Sequence, residues 1–141
     1  MYITESYVDI KGYEGKYQIG DFGNVKTLPR RIDIGKFSYN KPEKFLKKGF
    51  SSNGYYTVAL YKDSKSKRFN IHRLVAEHFI PNACNYNEVN HINGKKKDNN
   101  VWNLEWCTRS HNHKEAFRLG LRKAWNKGLI WLDDNNYLEK K

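Results

Sequence analysis

Residues 88–120 narrow what this chain can fold into more than any other stretch. Two short runs rich in β-formers, Glu88-Val-Asn-His-Ile92 and Val101-Trp-Asn-Leu-Glu-Trp106, bracket the polar loop GKKKDNN. Thr108 then offers an N-cap to the run SHNHKEAFRL, and Gly120 supplies a residue free to take the positive φ at which helices end. The expected unit is a strand, a loop, a second strand and a helix. Within it, Asn90, Asn103 and Asn112 occupy positions where asparagine is costly, because its amide competes for backbone hydrogen bonds. Several amides and the imidazole of His91 converging from a hairpin and a helix mark a site.

The rest of the chain supplies a frame. In residues 7–28 the glycines Gly12, Gly15, Gly20 and Gly23 separate runs such as KYQI and NVKTL, which suit short strands and tight turns. Pro29 closes this unit, and residues 31–53 read as a basic connector with one short strand at most. GYYTVALY, the turn KDSKSK and RFNIH form a hairpin signal. Helical spacing from His72 puts Leu74, Val75, His78 and Phe79 on one face, and Pro81 stops the run. The expected fold class is α+β: a small N-terminal β unit (1–30), the connector (31–53), a hairpin, helix and strand–strand–helix unit (54–120), and an extension of short helix and loose end (121–141). Trp102 and Trp106 are expected to pack the hairpin against the last helix, and His78 to be core.

Charge and aromatics narrow the partner. The chain has 141 residues, with 26 Lys+Arg against 15 Asp+Glu for a net charge of +11, and 15% of its residues are aromatic. So many rings exclude a solvated coil, and both halves of the chain are net basic, so the excess does not sit in a disordered arm. No apolar run approaches the ~18 residues of a membrane span, and the start MYITESYVDI is acidic, which sets the expectation of a cytoplasmic protein. Basic and aromatic together point to nucleic acid. Cys84 and Cys107 belong to no CxxC pair, so no structural zinc or disulfide framework is expected and both read as small packing residues.

At this point the sequence resembles a known family. VNHINGKKKDNNVWNLEWCTRSHNHKEAFRLG is similar to the HNH endonuclease motif, the ββα-metal finger common in phage homing endonucleases. NIHRLVAEHFIPN resembles the stretch that precedes this motif, and VDIKGYEGKYQIGDFGNVKTL resembles a small DNA-binding module often fused ahead of such nucleases. The resemblance implies a metal-dependent endonuclease acting on double-stranded DNA, by nicking or double-strand cleavage, in the bacterial host cell if the gene is phage-borne. It implies His91 as general base, Asn103 as the residue that pins the loop, and Asn90 and Asn112 as ligands of one divalent ion, Mg²⁺ with Mn²⁺ as a substitute. Imidazole suits the base role because its unperturbed pKa of ~6.5 leaves it mostly neutral at physiological pH.

Two departures bear on that reading. Many relatives carry Asp where this chain has Asn90, and two amides bring no negative charge to a hard dication. DNA phosphate oxygens are therefore expected to complete the site, with weak Mg²⁺ binding by the free protein. Glu115 stands where relatives often carry histidine, and reads as a solvated helix residue. His72 is expected to be structural, and His111 and His113 to face solvent or DNA. Phosphate contacts are expected from Lys26, Arg30, Arg31, Lys47, Lys48, Arg73, Lys95, Lys96, Lys97 and Arg109. Two other readings stay open: a DNA-binding regulator with a lapsed active site, and a basic RNA-binding protein.

Overall fold

The computed structural model describes residues 3–120 and the strand residues Ile130–Trp131 and Tyr137–Leu138. Three short strands, β1 (Tyr7–Asp9), β2 (Tyr17–Gly20) and β3 (Val25–Thr27), form an antiparallel meander as their glycine punctuation requires. Strands β4 (Arg30–Ile34) and β5 (Phe37–Lys41) form a separate two-stranded ribbon, and β6 (Lys44–Phe45) returns to pair with β3. The stretch read as a connector with at most one strand thus holds most of this ribbon and β6. Its periodicity was illegible because neither face of the ribbon is buried: Ile34, Phe37 and Tyr39 are all exposed, Phe37 at 81%.

Strands β7 (Gly49–Phe50), β8 (Tyr56–Lys62) and β9 (Lys65–Asn70) make a three-stranded sheet. The β8–β9 turn is only two residues, Asp63 and Ser64, both at positive φ (50° and 61°), which matches the right-handed twist of the flanking strands. The six-residue turn read from KDSKSK is therefore too long by four, because pairing runs to Lys62–Lys65.

Helix α1 (Ile71–Phe79) lies at the centre of the molecule and packs on β2, β8, β9 and the strands of the last unit. Its apolar face, Ile71, Leu74, Val75 and Ala76, joins Ile10, Tyr17, Ile19 and Val25 of the N-terminal unit to Val58, Leu60, Val89 and Leu104 in one core. Leu60 is fully buried there. Leu60→Ala is expected to cost about 2–5 kcal/mol in urea unfolding. His78 is half-buried rather than core: its Nδ1–H donates to Leu74 O (2.7 Å) and its Nε2 accepts from Lys11 N (2.9 Å), tying α1 to the loop after β1.

The last unit pairs β10 (Glu88–His91) antiparallel with β11 (Leu104–Cys107), followed by α2 (Arg109–Arg118). Residues 101–103, expected in the second strand, form a 3₁₀ turn instead, and β11 starts at Leu104. The Thr108 hydroxyl caps α2 by accepting from His111 N (3.2 Å), and Gly120 takes φ +68° beyond its end, both as expected. Trp106 packs on the core and donates to Ile80 O (3.1 Å), whereas Trp102 is 60% exposed and meets only the edge of Phe22 in ring contact (5.2 Å). Both cysteines are free; Cys107 is buried, but Cys84 is exposed rather than a core packing residue. In residues 121–141 the described pieces are two antiparallel strands, β12 (Ile130–Trp131) and β13 (Tyr137–Leu138); the expected short helix and loose end otherwise fall outside the described residues. No described helix is long and apolar enough to cross a membrane.

Candidate active site

Antiparallel pairing brings the site together. Asn90 stands opposite Glu105 in the β10–β11 register, and Glu88, two residues earlier, points to the same face. Helix α2 crosses that face with Asn112 and His113. Between them opens a cleft of about 350 Å³ lined by Glu88, Asn90, His91, Lys96, Arg109 and Asn112, among others.

His91 is 6% exposed, with its ring 5.1 Å from that of His72 and stacked at 5.9 Å on Tyr55. Its Nε2 stands 2.9 Å from Asn99 Oδ1. An amide oxygen can only accept, so Nε2 carries the proton and Nδ1 keeps the lone pair. Burial, and more weakly the Lys96 charge, lower the His91 pKa against the opposing pull of Asn99 and Asp98. The imidazole is therefore neutral near pH 7, in the tautomer that leaves Nδ1 as a base.

Asn103 is fully engaged. Its Nδ2 donates to Asn93 Oδ1 (3.0 Å) and Asp98 O (2.9 Å), and its Oδ1 accepts from Asn93 N (3.0 Å). These bonds tie down the loop that carries Asn99. The N-terminal unit closes the loop from behind. Val101 N donates to Asp21 O (2.8 Å), and a Cβ at Gly23 would stand 2.9 Å from Asn99 Cβ, so only glycine fits there.

Asn99 was missed by sequence reasoning. The signal was the run Asp98-Asn99-Asn100, in which nothing local marks the middle amide as buried. Glu88 and Glu105 were missed as well. Asn90 Nδ2 donates to Glu105 Oε1 (2.9 Å) and Asn112 Nδ2 donates to Glu88 Oε2 (2.8 Å). Each carboxylate accepts only, so each amide turns its Oδ1 away from the glutamate. The site is thus less neutral than Asn90 and Asn112 alone imply. Oxygen donors of this kind suit a hard cation such as Mg²⁺ or Mn²⁺. Among the described residues, no cluster of three or more His, Cys, Asp or Glu forms a metal site by itself.

Of the expected phosphate contacts, Lys96 and Arg109 line the cleft. Lys96 also donates to Asn53 O (2.8 Å) and lies over the Tyr55 ring (4.8 Å). Lys97 lies over Phe50 and Lys48 over Tyr56, on the flank where β7 meets β8; Lys47 and Lys95 are exposed nearby in sequence. Arg30 and Arg73 donate to the backbone carbonyls of Lys16 (3.1 Å) and Asn87 (2.6 Å), and Lys26 pairs with Glu43 (3.5 Å) under Tyr7. Arg31 lies exposed on the ribbon, bonded to Asp33 and Ser38. His113 lines the cleft, and His111 Nε2 stands 3.3 Å from Glu105 Oε1.

His72 is buried, its Nδ1 has no hydrogen-bond partner among the described residues, and burial with the neighbouring His91 and Arg73 charges lowers its pKa to about 3. Protonation therefore favours the unfolded chain, where the pKa returns to ~6.5. Stability from this residue is complete above pH ~6.5 and is lost as pH falls towards 3. Urea unfolding should show a decline of up to ~1.4 kcal/mol per pH unit from one such group, flattened in His72→Phe.

Comparison with known proteins places the chain in a family. A family model described as the NUMOD4 motif matches residues 5–61, and one described as HNH endonuclease matches residues 70–114. The chain carries an HNH endonuclease domain. It is 38% identical over 112 residues to DNA endonuclease I-HmuI of Bacillus phage SP01, covering 79% of this chain and 58% of that protein. It is 43% identical over 109 residues to an uncharacterized HNH endonuclease of Acanthamoeba polyphaga mimivirus, covering 76% of this chain and 32% of that protein. The solved structure described as DNA binding and cleavage by the HNH homing endonuclease I-HmuI superposes with a TM-score of 0.67 at 33% identity, over 84% of this chain and 62% of that one. The chain therefore spans less than two thirds of the length of these relatives. The NUMOD4 match takes in β1–β8 up to Tyr61, while the HNH match holds α1, the hairpin and most of α2. HNH nucleases generally use a divalent metal ion.

Proposed function

We propose that this protein is a metal-dependent endonuclease that hydrolyses phosphodiester bonds in duplex DNA. The observation that carries the reading is His91: a buried imidazole, neutral near pH 7, with Nε2 held by Asn99 and its ring on the wall of an oxygen-rich cleft. In the proposed reaction Nδ1 takes a proton from a water, the water oxygen bonds to phosphorus, and the bond from phosphorus to the 3′ oxygen breaks. His91 leaves that step as imidazolium and returns its proton to solvent or to the departing oxygen. Asn90 and Asn112 would hold the divalent ion, Mg²⁺ or Mn²⁺, through their Oδ1 atoms. When bound, the ion supplies charge neutralisation at the phosphate and at the leaving oxygen. Lys96 and Arg109, on the same cleft, face the phosphate backbone, and Asn103 keeps the loop in register.

The β4–β5 ribbon is the element proposed to reach the bases. It is two-stranded, solvent-exposed on both faces, and carries Arg31, Lys36 and Lys41 beside Phe37 and Tyr39. A two-stranded ribbon fits the major groove. Relatives named DNA endonuclease and homing endonuclease support the substrate.

The test is incubation of supercoiled plasmid with the protein and Mg²⁺ or Mn²⁺. Conversion to nicked or linear DNA is expected, and none in chelator. A protein that shifts plasmid in a gel yet never cuts it would instead be the lapsed DNA-binding scaffold that Asn90 keeps in view.

A further inference from the structure

The amides at positions 90 and 112 leave one feature of the site unused by the proposal above: the two carboxylates behind them. Glu105 lies directly across the ladder from Asn90, and Glu88 sits on the same face, under Asn112. Both pairs are close, at 2.9 Å and 2.8 Å, and in both the amide nitrogen faces the acid. This arrangement has two consequences. The carboxylate settles which end of each amide is free, since an amide oxygen turned towards it would meet a second acceptor. It also leaves two formal negative charges next to ligands that carry none. Among the described residues neither Asn90 Oδ1 nor Asn112 Oδ1 accepts a hydrogen bond, so both are available to a cation.

We propose that Glu105 and Glu88 are positioning residues that hold Asn90 and Asn112 oxygen-first towards a divalent cation and supply the negative charge those amides lack, so that the free protein binds the ion before DNA arrives. This rests on the metal-dependent reading above and reverses the expectation that DNA must complete the site. Where many HNH relatives carry an acid directly before the histidine, this chain has Asn90, with Glu105 across the ladder in register with it. Glu105 also meets His111 Nε2 at 3.3 Å, and His111 thereby borders the same carboxylate from α2.

The test is titration of Mn²⁺ into the free protein, following unbound Mn²⁺ by electron paramagnetic resonance. Glu105→Gln and Glu88→Gln should each weaken binding about 10–100-fold, the usual effect of removing the partner of a metal ligand. Glu77→Gln, an exposed residue on α1, should bind as wild type does. The double variant Asn90→Asp with Glu105→Gln should recover most of the lost affinity, because it returns one carboxylate to the site and leaves the amide introduced across the ladder free to donate to it. A purely structural glutamate predicts single-variant Mn²⁺ losses that track a loss of fold, which thermal melts of each variant report separately. Wild-type affinity in both single variants, no rescue in the double variant, or Mn²⁺ binding only with a non-cleavable duplex present would each overturn the inference. The nuclease reading fails on a different result: Glu-dependent Mn²⁺ binding by a protein that never cuts plasmid would leave the inference standing and remove the activity.

Discussion

His91→Ala is expected to lower plasmid cleavage by about 10²–10⁴-fold while DNA retention in a gel shift stays near wild type. The variant removes the only imidazole in the cleft whose second nitrogen is held by a buried acceptor; His113, also on the cleft wall, lacks such a partner among the described residues. DNA binding is expected to survive because the basic side chains proposed to meet phosphate, Lys96 and Arg109 in the cleft and Arg31 on the ribbon, are untouched. Since His91 packs against both His72 and Tyr55, the alanine variant leaves a gap in a ring cluster. His91→Gln fills more of that space with no base of comparable strength and should be equally inactive. Cleavage by either variant at the wild-type rate would remove His91 from the mechanism.

Asn99 should matter nearly as much without touching substrate. Asn99→Leu takes away the acceptor for His91 Nε2–H, so the imidazole can adopt the tautomer whose lone pair faces the wrong way. The rate constant for cleavage is expected to fall about 10–100-fold with little change in DNA affinity, as for other residues that orient a reacting imidazole. Asn99→Asp tests the same contact through pH. Neutral His91 is the active form and burial holds its pKa below the ordinary ~6.5, so the wild-type rate should fall only well into acid. A carboxylate at position 99 favours the imidazolium and raises that pKa. The acid limb of the pH–rate profile must then move to higher pH, and the variant should lose more activity at pH 6 than at pH 8. Superimposable profiles for the two proteins would show that residue 99 does not act through His91.

The coupling of Asn99 to the N-terminal unit gives the two matched segments a common purpose. Gly23, in a β-turn of the NUMOD4 segment, abuts Asn99, and Asp21 O accepts from Val101 N, two residues further on. A side chain at position 23 would both require an unfavourable positive φ (+89°) and push on Asn99. The unit that looks like a DNA-binding appendage in sequence is also the back wall of the proposed catalytic loop.

Sequence alone determined the elements whose signals are local. The glycine-punctuated meander, the helix that Pro81 stops, the Thr108 cap and the Gly120 terminus all follow from residues within a few positions of one another. Asn90, His91, Asn103 and Asn112 stood out in the sequence because polar residues at strand ends and in a short helix have few structural reasons to be there. Tertiary structure alone decided what those residues touch. Glu105 belongs to the site because antiparallel register sets it across from Asn90, fifteen positions away. Asn99 becomes the partner of His91 because a loop eight residues long folds back under Gly23, and Trp102 is left outside because a 3₁₀ turn replaces the first half of the expected strand. The β4–β5 ribbon had no readable pattern because neither of its faces is buried, and burial on one face is what writes a strand's alternation into sequence. Chemical identity of the candidate base was therefore a one-dimensional fact, whereas its tautomer, its neutrality and the charge around the proposed metal ligands, Asn90 and Asn112, are set by contacts that pairing and packing create.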